Sequence, residues 1–181
     1  VVEAYKGEAY DERDGDAWII TGSADSVMDN KEWMLYMENK IIKAHALKKP
    51  ILGVCFGHQI LAKALGGEVT RNPVGWEVGS HNVLLTLEGQ KTDLFKKLPP
   101  TICVYETHQD TVSKLPPSST LLAENSNGVQ SFVDDRSYGI QFHPEFSCDI
   151  MRAYSDLNRS QGIEFDADQV IDTKDGKNVM K

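Results

Sequence analysis

An apolar run that passes straight into a helix sets the strongest limit on how this chain folds. Ile51-Leu52-Gly53-Val54 reads as a buried strand. It runs without a spacer into Gly53-Val54-Cys55-Phe56-Gly57, and a helical segment from Gly57 to Leu65 follows, stopped by Gly66-Gly67. A residue on such a strand-to-helix turn sits in a strained backbone conformation, and small residues two positions either side let the turn close. The helix then aims its first N–H groups and the positive end of its dipole at the Cys55 sulfur, which favours the reactive thiolate. The N–H of Phe56 is placed to bind an oxyanion. The same five residues also suit a buried structural cysteine at a strand end, so the motif alone leaves both readings open.

The flanking pattern fits a sheet covered by helices. Ala17-Trp18-Ile19-Ile20 is a second apolar run, closed by Thr21-Gly22-Ser23. Between the two runs, Lys31 to Lys48 puts Trp33, Met34, Met37, Ile41, Ala44 and Leu47 on one helical face and ends at Lys48-Lys49-Pro50. The order strand, helix, strand, helix predicts a parallel α/β arrangement. The second half predicts short strands at Asn82–Leu87, Ile102–Tyr105, Thr120–Ala123, Val129–Val133 and Tyr138–Phe142, some as antiparallel hairpins, then a helix over about Asp149–Leu157 capped by Ser147. The 181 residues suit one domain over 1–181, with 159–181 either a final helix or a tail.

Composition narrows the function. The net charge of −8 and the lack of a Lys/Arg stripe disfavour nucleic acid, and no apolar run approaches a membrane span of ~20 residues. Cys55, Cys103 and Cys148 are odd in number, widely spaced and without C-x-x-C. That argues against disulfides and zinc and for a reduced, cytoplasmic setting. No Walker or Rossmann glycine spacing is present, so no nucleotide cofactor is implied, and no metal or other cofactor is expected.

Gly139-Ile140-Gln141-Phe142-His143-Pro144-Glu145-Phe146 supplies what Cys55 needs. A cysteine nucleophile requires a base, and the base requires an orienter that holds its tautomer. His143 and Glu145 fill those parts, and Pro144 stiffens the link. These strings, together with Ile51 to Leu61, resemble the nucleophile and His-x-Glu motifs of class I (triad type) glutamine amidotransferases. Ile19 to Val27 resembles that family's oxyanion loop. Glu106-Thr107-His108-Gln109-Asp110-Thr111-Val112 resembles a segment near the glutamine site of its GMP-synthase-like branch. The resemblance covers about Ala17 to Leu157, with the motifs in order.

The resemblance implies a flavodoxin-like three-layer α/β sandwich, with a mostly parallel sheet and an added antiparallel ribbon. It implies hydrolysis of the glutamine side-chain amide through a γ-glutamyl thioester, releasing ammonia. Cys55 would be the nucleophile, His143 the acid/base and Glu145 the orienter. Gly22 and Phe56 would donate oxyanion N–H groups, and Gln59, His108 and Gln109 would contact the substrate. The chain would either feed the ammonia to a separate synthase partner or act alone, with no nucleic acid or membrane involved. The family's usual first strand and helix have no counterpart after Val1, so the natural chain is expected to be longer. Gly22-Ser23 and Gly75-Trp76-Glu77-Val78-Gly79 are similar to the stand-alone GMP-synthase-like branch, where a γ-glutamyl peptidase or hydrolase is the nearest alternative. A non-enzymatic binding module is the other; the intact Cys55, His143 and Glu145 weigh against it. His58 is expected to pack rather than react, Cys103 to be core and Cys148 to be structural.

Overall fold

The strand before Cys55 is the spine of the molecule. A computed structural model describes residues 1–160, 163 and 170–179. In it β1 (Trp18–Ile20), β2 (Ile51–Val54) and β9 (Ser137–Ile140) run parallel, with β2 in the middle. The register sets Gly53 beside Gly139 and Val54 beside Ile140, so the segments that follow β2 and β9 leave the sheet side by side. Helix α1 (Glu32–Ala46) connects β1 to β2, burying Met34, Ile41 and Ala44 from the predicted stripe. Leu47, assigned to that stripe, caps the helix and stays exposed. Helix α2 (Phe56–Ala64) starts directly after Cys55 and is buried from Phe56 to Ala62.

The remaining strands are antiparallel: β3 (Glu68–Arg71), β4 (Glu77–Leu85), β5 (Thr101–His108), β6 (Asp110–Lys114), β7 (Thr120–Asn125) and β8 (Gly128–Asp134). The main path through the sheet is β1-β2-β9-β8-β7-β4-β5, with β6 joining β3 to β8 off that path. The α/β architecture holds. The parallel share is confined to β1, β2 and β9, and the antiparallel part extends over six strands, more than a simple ribbon. Residues alternate sides, as a pleated strand requires. Ile51 and Phe132 join one apolar cluster with α1 and α2, whereas Leu52 and Val133 join a second with Phe95, Ile102 and Phe142.

Two strands escaped the sequence reading. β3 carries a single partly buried apolar residue, Val69, and β6 is five residues long beginning on Asp110. Neither offers an apolar alternation to detect. β4 and β5 also extend past their predicted ends into Glu77 and into Glu106-Thr107-His108. These charged residues are buried because they face one another, as described below.

Helix α3 (Cys148–Ser160) begins as expected, with the Ile150 amide donating to Ser147 Oγ at 3.3 Å. Residues 170–179 end in α4 (Asp175–Val179), which lies on β5. There Thr173 Oγ1 donates to the Cys103 carbonyl at 2.8 Å, and Asp175 accepts the Cys103 amide at 3.0 Å. Of the segment expected as helix or tail, residues 161–162, 164–169 and 180–181 lie outside the described residues. No helix among the described residues is long and apolar enough to cross a membrane.

Candidate active site

Cys55 occupies the turn between β2 and α2 with φ 52° and ψ −105°, a conformation that costs a non-glycine residue about 1–3 kcal/mol. The flanking glycines permit it. A Cβ on Gly53 would run into the Gly57 carbonyl, and one on Gly57 would run into the Ile20 carbonyl of β1. The Cys55 amide donates to the Ile140 carbonyl at 2.9 Å, and the Gln59 amide donates to the Cys55 carbonyl at 3.1 Å. Strand and helix thus hold the turn from both sides, which leaves the Phe56 N–H at the helix start.

His143 reaches Cys55 because β9 ends beside β2. Its amide donates to the Tyr105 carbonyl of β5 at 2.8 Å, and its ring stacks on Phe146, with centroids 4.2 Å apart. Nδ1–H donates to Glu145 Oε1 at 2.7 Å. Nε2 is buried and without a hydrogen-bond partner among the described residues. Burial disfavours the imidazolium, but the interactions with Cys55 and Glu145 outweigh it and raise His143 to about 9. Burial works against the Glu145 carboxylate too, yet His143 holds it below its ordinary value. Gly22 closes the site: a Cβ there would lie 3.3 Å from His143 Cε1 and 3.8 Å from Cys55 Cβ.

All eight residues singled out from the sequence line one pocket of about 690 Å3: Gly22, Cys55, Phe56, Gln59, His108, Gln109, His143 and Glu145. That is the size of an ordinary small-molecule site. They do not all meet it in the same way. Gln59 is buried, and its Nε2 donates to the Asp110 carbonyl at 2.9 Å and to Gln141 Oε1 at 3.1 Å. Gln109 lies at the edge and accepts from Arg71.

His108 is bound into a cluster under the pocket that the sequence reading missed. In the β4–β5 register Glu77 stands opposite His108, and Glu106 stands opposite Gly79, which has no side chain to block it. His108 Nε2 lies 3.0 Å from Glu77 Oε2 and 3.2 Å from Glu106 Oε2, while Nδ1 lies 2.9 Å from the Asp110 carbonyl. Nδ1–H donates to the Asp110 carbonyl, whereas Nε2 stands close to both carboxylates without an aligned hydrogen bond; their charge favours the imidazolium. Burial disfavours that charge, but the two carboxylates raise His108 well above its ordinary value. Burial pushes Glu106 up to about 7. The ligand-type atoms of these three residues lie within 4.8 Å of one another, a spacing that would suit a metal ion. The sequence carried little signal for this cluster: the three residues lie outside the apolar runs that marked β4 and β5, and only the strand register brings them together.

The other expectations concern residues off the site. His58 is fully buried against Phe132, 5.2 Å between ring centroids, and burial, with the charge of His108, lowers it to about 3. It packs, as expected. Cys103 is half-buried on β5 and burial raises its thiol; Cys148 opens α3.

Comparison with known proteins agrees with this geometry. The sequence profile of the family described as "Glutamine amidotransferase class-I" matches residues 3–154. The chain is 32% identical over 152 residues to gamma-glutamyl peptidase 5 of Arabidopsis thaliana, covering 80% of this chain and 61% of that protein. It is 38% identical over 116 residues to one subunit of the glutamine-hydrolyzing GMP synthase of Pyrococcus furiosus, covering 60% of each. The chain spans about three fifths of the length of these curated relatives. A crystal structure of a glutamine amidotransferase from Thermotoga maritima superposes with a TM-score of 0.74 at 26% identity, over 88% of this chain and 71% of that one. The chain belongs to the class-I glutamine amidotransferase family.

Proposed function

We propose that this chain is an amide hydrolase that cleaves the side-chain amide of glutamine to glutamate and ammonia. The observation that carries the reading is the strained Cys55 turn with the His143–Glu145 pair behind it in one pocket. His143 Nε2 takes the Cys55 proton, and the thiolate attacks the amide carbon. The N–H groups of Gly22 and Phe56 bind the oxyanion of the tetrahedral adduct. His143 returns the proton to the leaving nitrogen, so ammonia departs and a γ-glutamyl thioester remains. His143 then deprotonates water, which attacks the thioester, and the thiol leaves reprotonated. Glu145 holds Nδ1–H throughout and stabilises the imidazolium.

A second reading keeps the chemistry and changes the leaving group. The pocket runs out to Trp76, Tyr154 and Leu157, room for an amine larger than ammonia, and one relative is named a gamma-glutamyl peptidase. Another is named as part of a glutamine-hydrolyzing synthase, which supports ammonia transfer to a separate partner. A release assay on purified protein, following ammonia and free amine from glutamine and from γ-glutamyl peptides, separates the two. Inactivity on every γ-glutamyl compound with folded protein would favour a binding module instead.

A further inference from the structure

The pocket wall carries an unusual charge pattern. Asp25, Asp29, Asp110 and Glu145 line it, and Arg71 is the only Lys or Arg among the described lining residues. Arg71 ends β3 and stands directly across from Asp110 in the β3–β6 register. Its Nη1 lies 2.9 Å from Asp110 Oδ1 and also donates to Gln109 Oε1. Asp110 is buried and fixed on its own account: Ser26 donates to its other carboxylate oxygen, while Gln59 and His108 donate to its carbonyl. The guanidinium is therefore held by a rigid base, yet its side chain is 53% exposed. An Arg fork has five N–H donors in fixed geometry, and both contacts above use one nitrogen of the three. The acidic neighbours have cations of their own, Lys31 for Asp25 and Asp29 and His143 for Glu145.

We propose that Arg71 is the carboxylate anchor of this pocket and selects γ-glutamyl substrates that carry a free α-carboxylate. The inference rests on the reading above that a γ-glutamyl amide is the substrate. Arg71 is the only permanently charged cation among the described lining residues, and an entering carboxylate is favoured beside it. A γ-glutamyl head brings one carboxylate and one ammonium, so Arg71 takes the first while the acidic lining tolerates the second. Asp110 orients the guanidinium, and its backbone carbonyl, tied to Gln59 one turn after Cys55, links the anchor to the reacting end.

The test compares two γ-glutamyl anilides with the same aniline leaving group, one with a free α-carboxylate and one with an α-carboxamide. Wild-type protein should prefer the carboxylate in kcat/KM by about 10- to 100-fold, the worth of a charge-assisted hydrogen bond. Arg71→Met should bring that ratio close to 1, and Arg71→Lys should restore part of it. A wild-type ratio near 1, or an equal loss on both anilides in Arg71→Met, overturns the assignment. Binding of L-glutamate and its α-amide to Cys55→Ala protein, measured by calorimetry, gives an answer that needs no turnover. If neither anilide is cleaved but glutamate binds at least 10-fold tighter than its amide and Arg71→Met removes the difference, the hydrolase reading fails and the anchor stands. If glutamate and its amide bind alike, the anchor fails whatever the turnover.

Discussion

Two carboxylate–imidazole groupings border one pocket of this fold and are put to opposite uses. His143 meets one carboxylate, Glu145, whose side chain is 52% exposed, and its Nε2 has no protein hydrogen-bond partner among the described residues. His108 meets two carboxylates that are fully buried, its Nδ1–H donating to the Asp110 carbonyl and its Nε2 lying 3.0 Å from Glu77 and 3.2 Å from Glu106. The chemical parts are the same. An imidazole with one uncommitted nitrogen beside a pocket can exchange protons with a ligand. A ring closed in between two buried carboxylates serves differently: His108 fixes the Asp110 carbonyl and so the floor of the site. Access, more than pKa, separates a proton carrier from a brace.

The contrast is broken most sharply by kinetics. Cys55→Ala and His143→Ala should each lower turnover by about 10⁴ to 10⁶, because nucleophile and base act as one unit. Their folding stability, followed by denaturant unfolding, should change little. Near wild-type activity in His143→Ala would remove it as the base.

The sealed cluster should answer in stability instead of rate. His108→Asn leaves two buried carboxylates without their cation, and a broken buried pair costs about 3–5 kcal/mol. Urea unfolding should show that loss, far more than for His143→Ala. Equal stability losses in the two variants would mean the clusters do not differ as described.

Glu145→Gln should keep a remainder of activity, down about 10²- to 10³-fold, since the orienter supplies only part of the general-base effect. Because interaction with Cys55 helps raise His143, its pKa, read by NMR titration, should fall below about 9 in Cys55→Ala. A rise would contradict the proposed coupling.

The smallest effect concerns pH and stability. Glu106 is pushed from 4.5 to about 7 by burial, so across that window the folded chain keeps a proton that the unfolded chain has lost. Its contribution to stability is therefore complete below about pH 4.5 and falls as pH rises toward 7. Glu106→Gln should flatten that limb of the profile; an unchanged slope would show that Glu106 titrates normally.

The same contrast explains what could be read in the sequence. The Cys55 turn, His143 and Glu145 announced themselves because each sits at the end of an apolar run, and apolar period is what a sequence displays best. Five later strands were located for the same reason, with ends off by a few residues in either direction. Glu77, Glu106 and His108 fell outside the predicted strands because their burial depends on a cross-strand register that no local pattern encodes. β3 and β6 were missed because almost nothing apolar marks them. Arg71 stayed hidden for that reason: only the β3–β6 pairing sets it opposite Asp110 and at the pocket.

The pairing of β2 with β9 also has a consequence in time. It joins residues 86 apart in sequence, as Ile51 beside Ser137, and β1 adds a further parallel neighbour. Contacts this distant carry a loop-closure cost that has to be met before they add stability, so they form slowly. A growing or refolding chain therefore holds Cys55 for some time without His143 beside it, as an ordinary thiol. On the proposed reading, the activated thiol arrives only with the finished sheet. Pulsed alkylation during refolding should show enhanced Cys55 reactivity appearing after most of the sheet signal has returned; reactivity that leads the sheet would contradict this order of events.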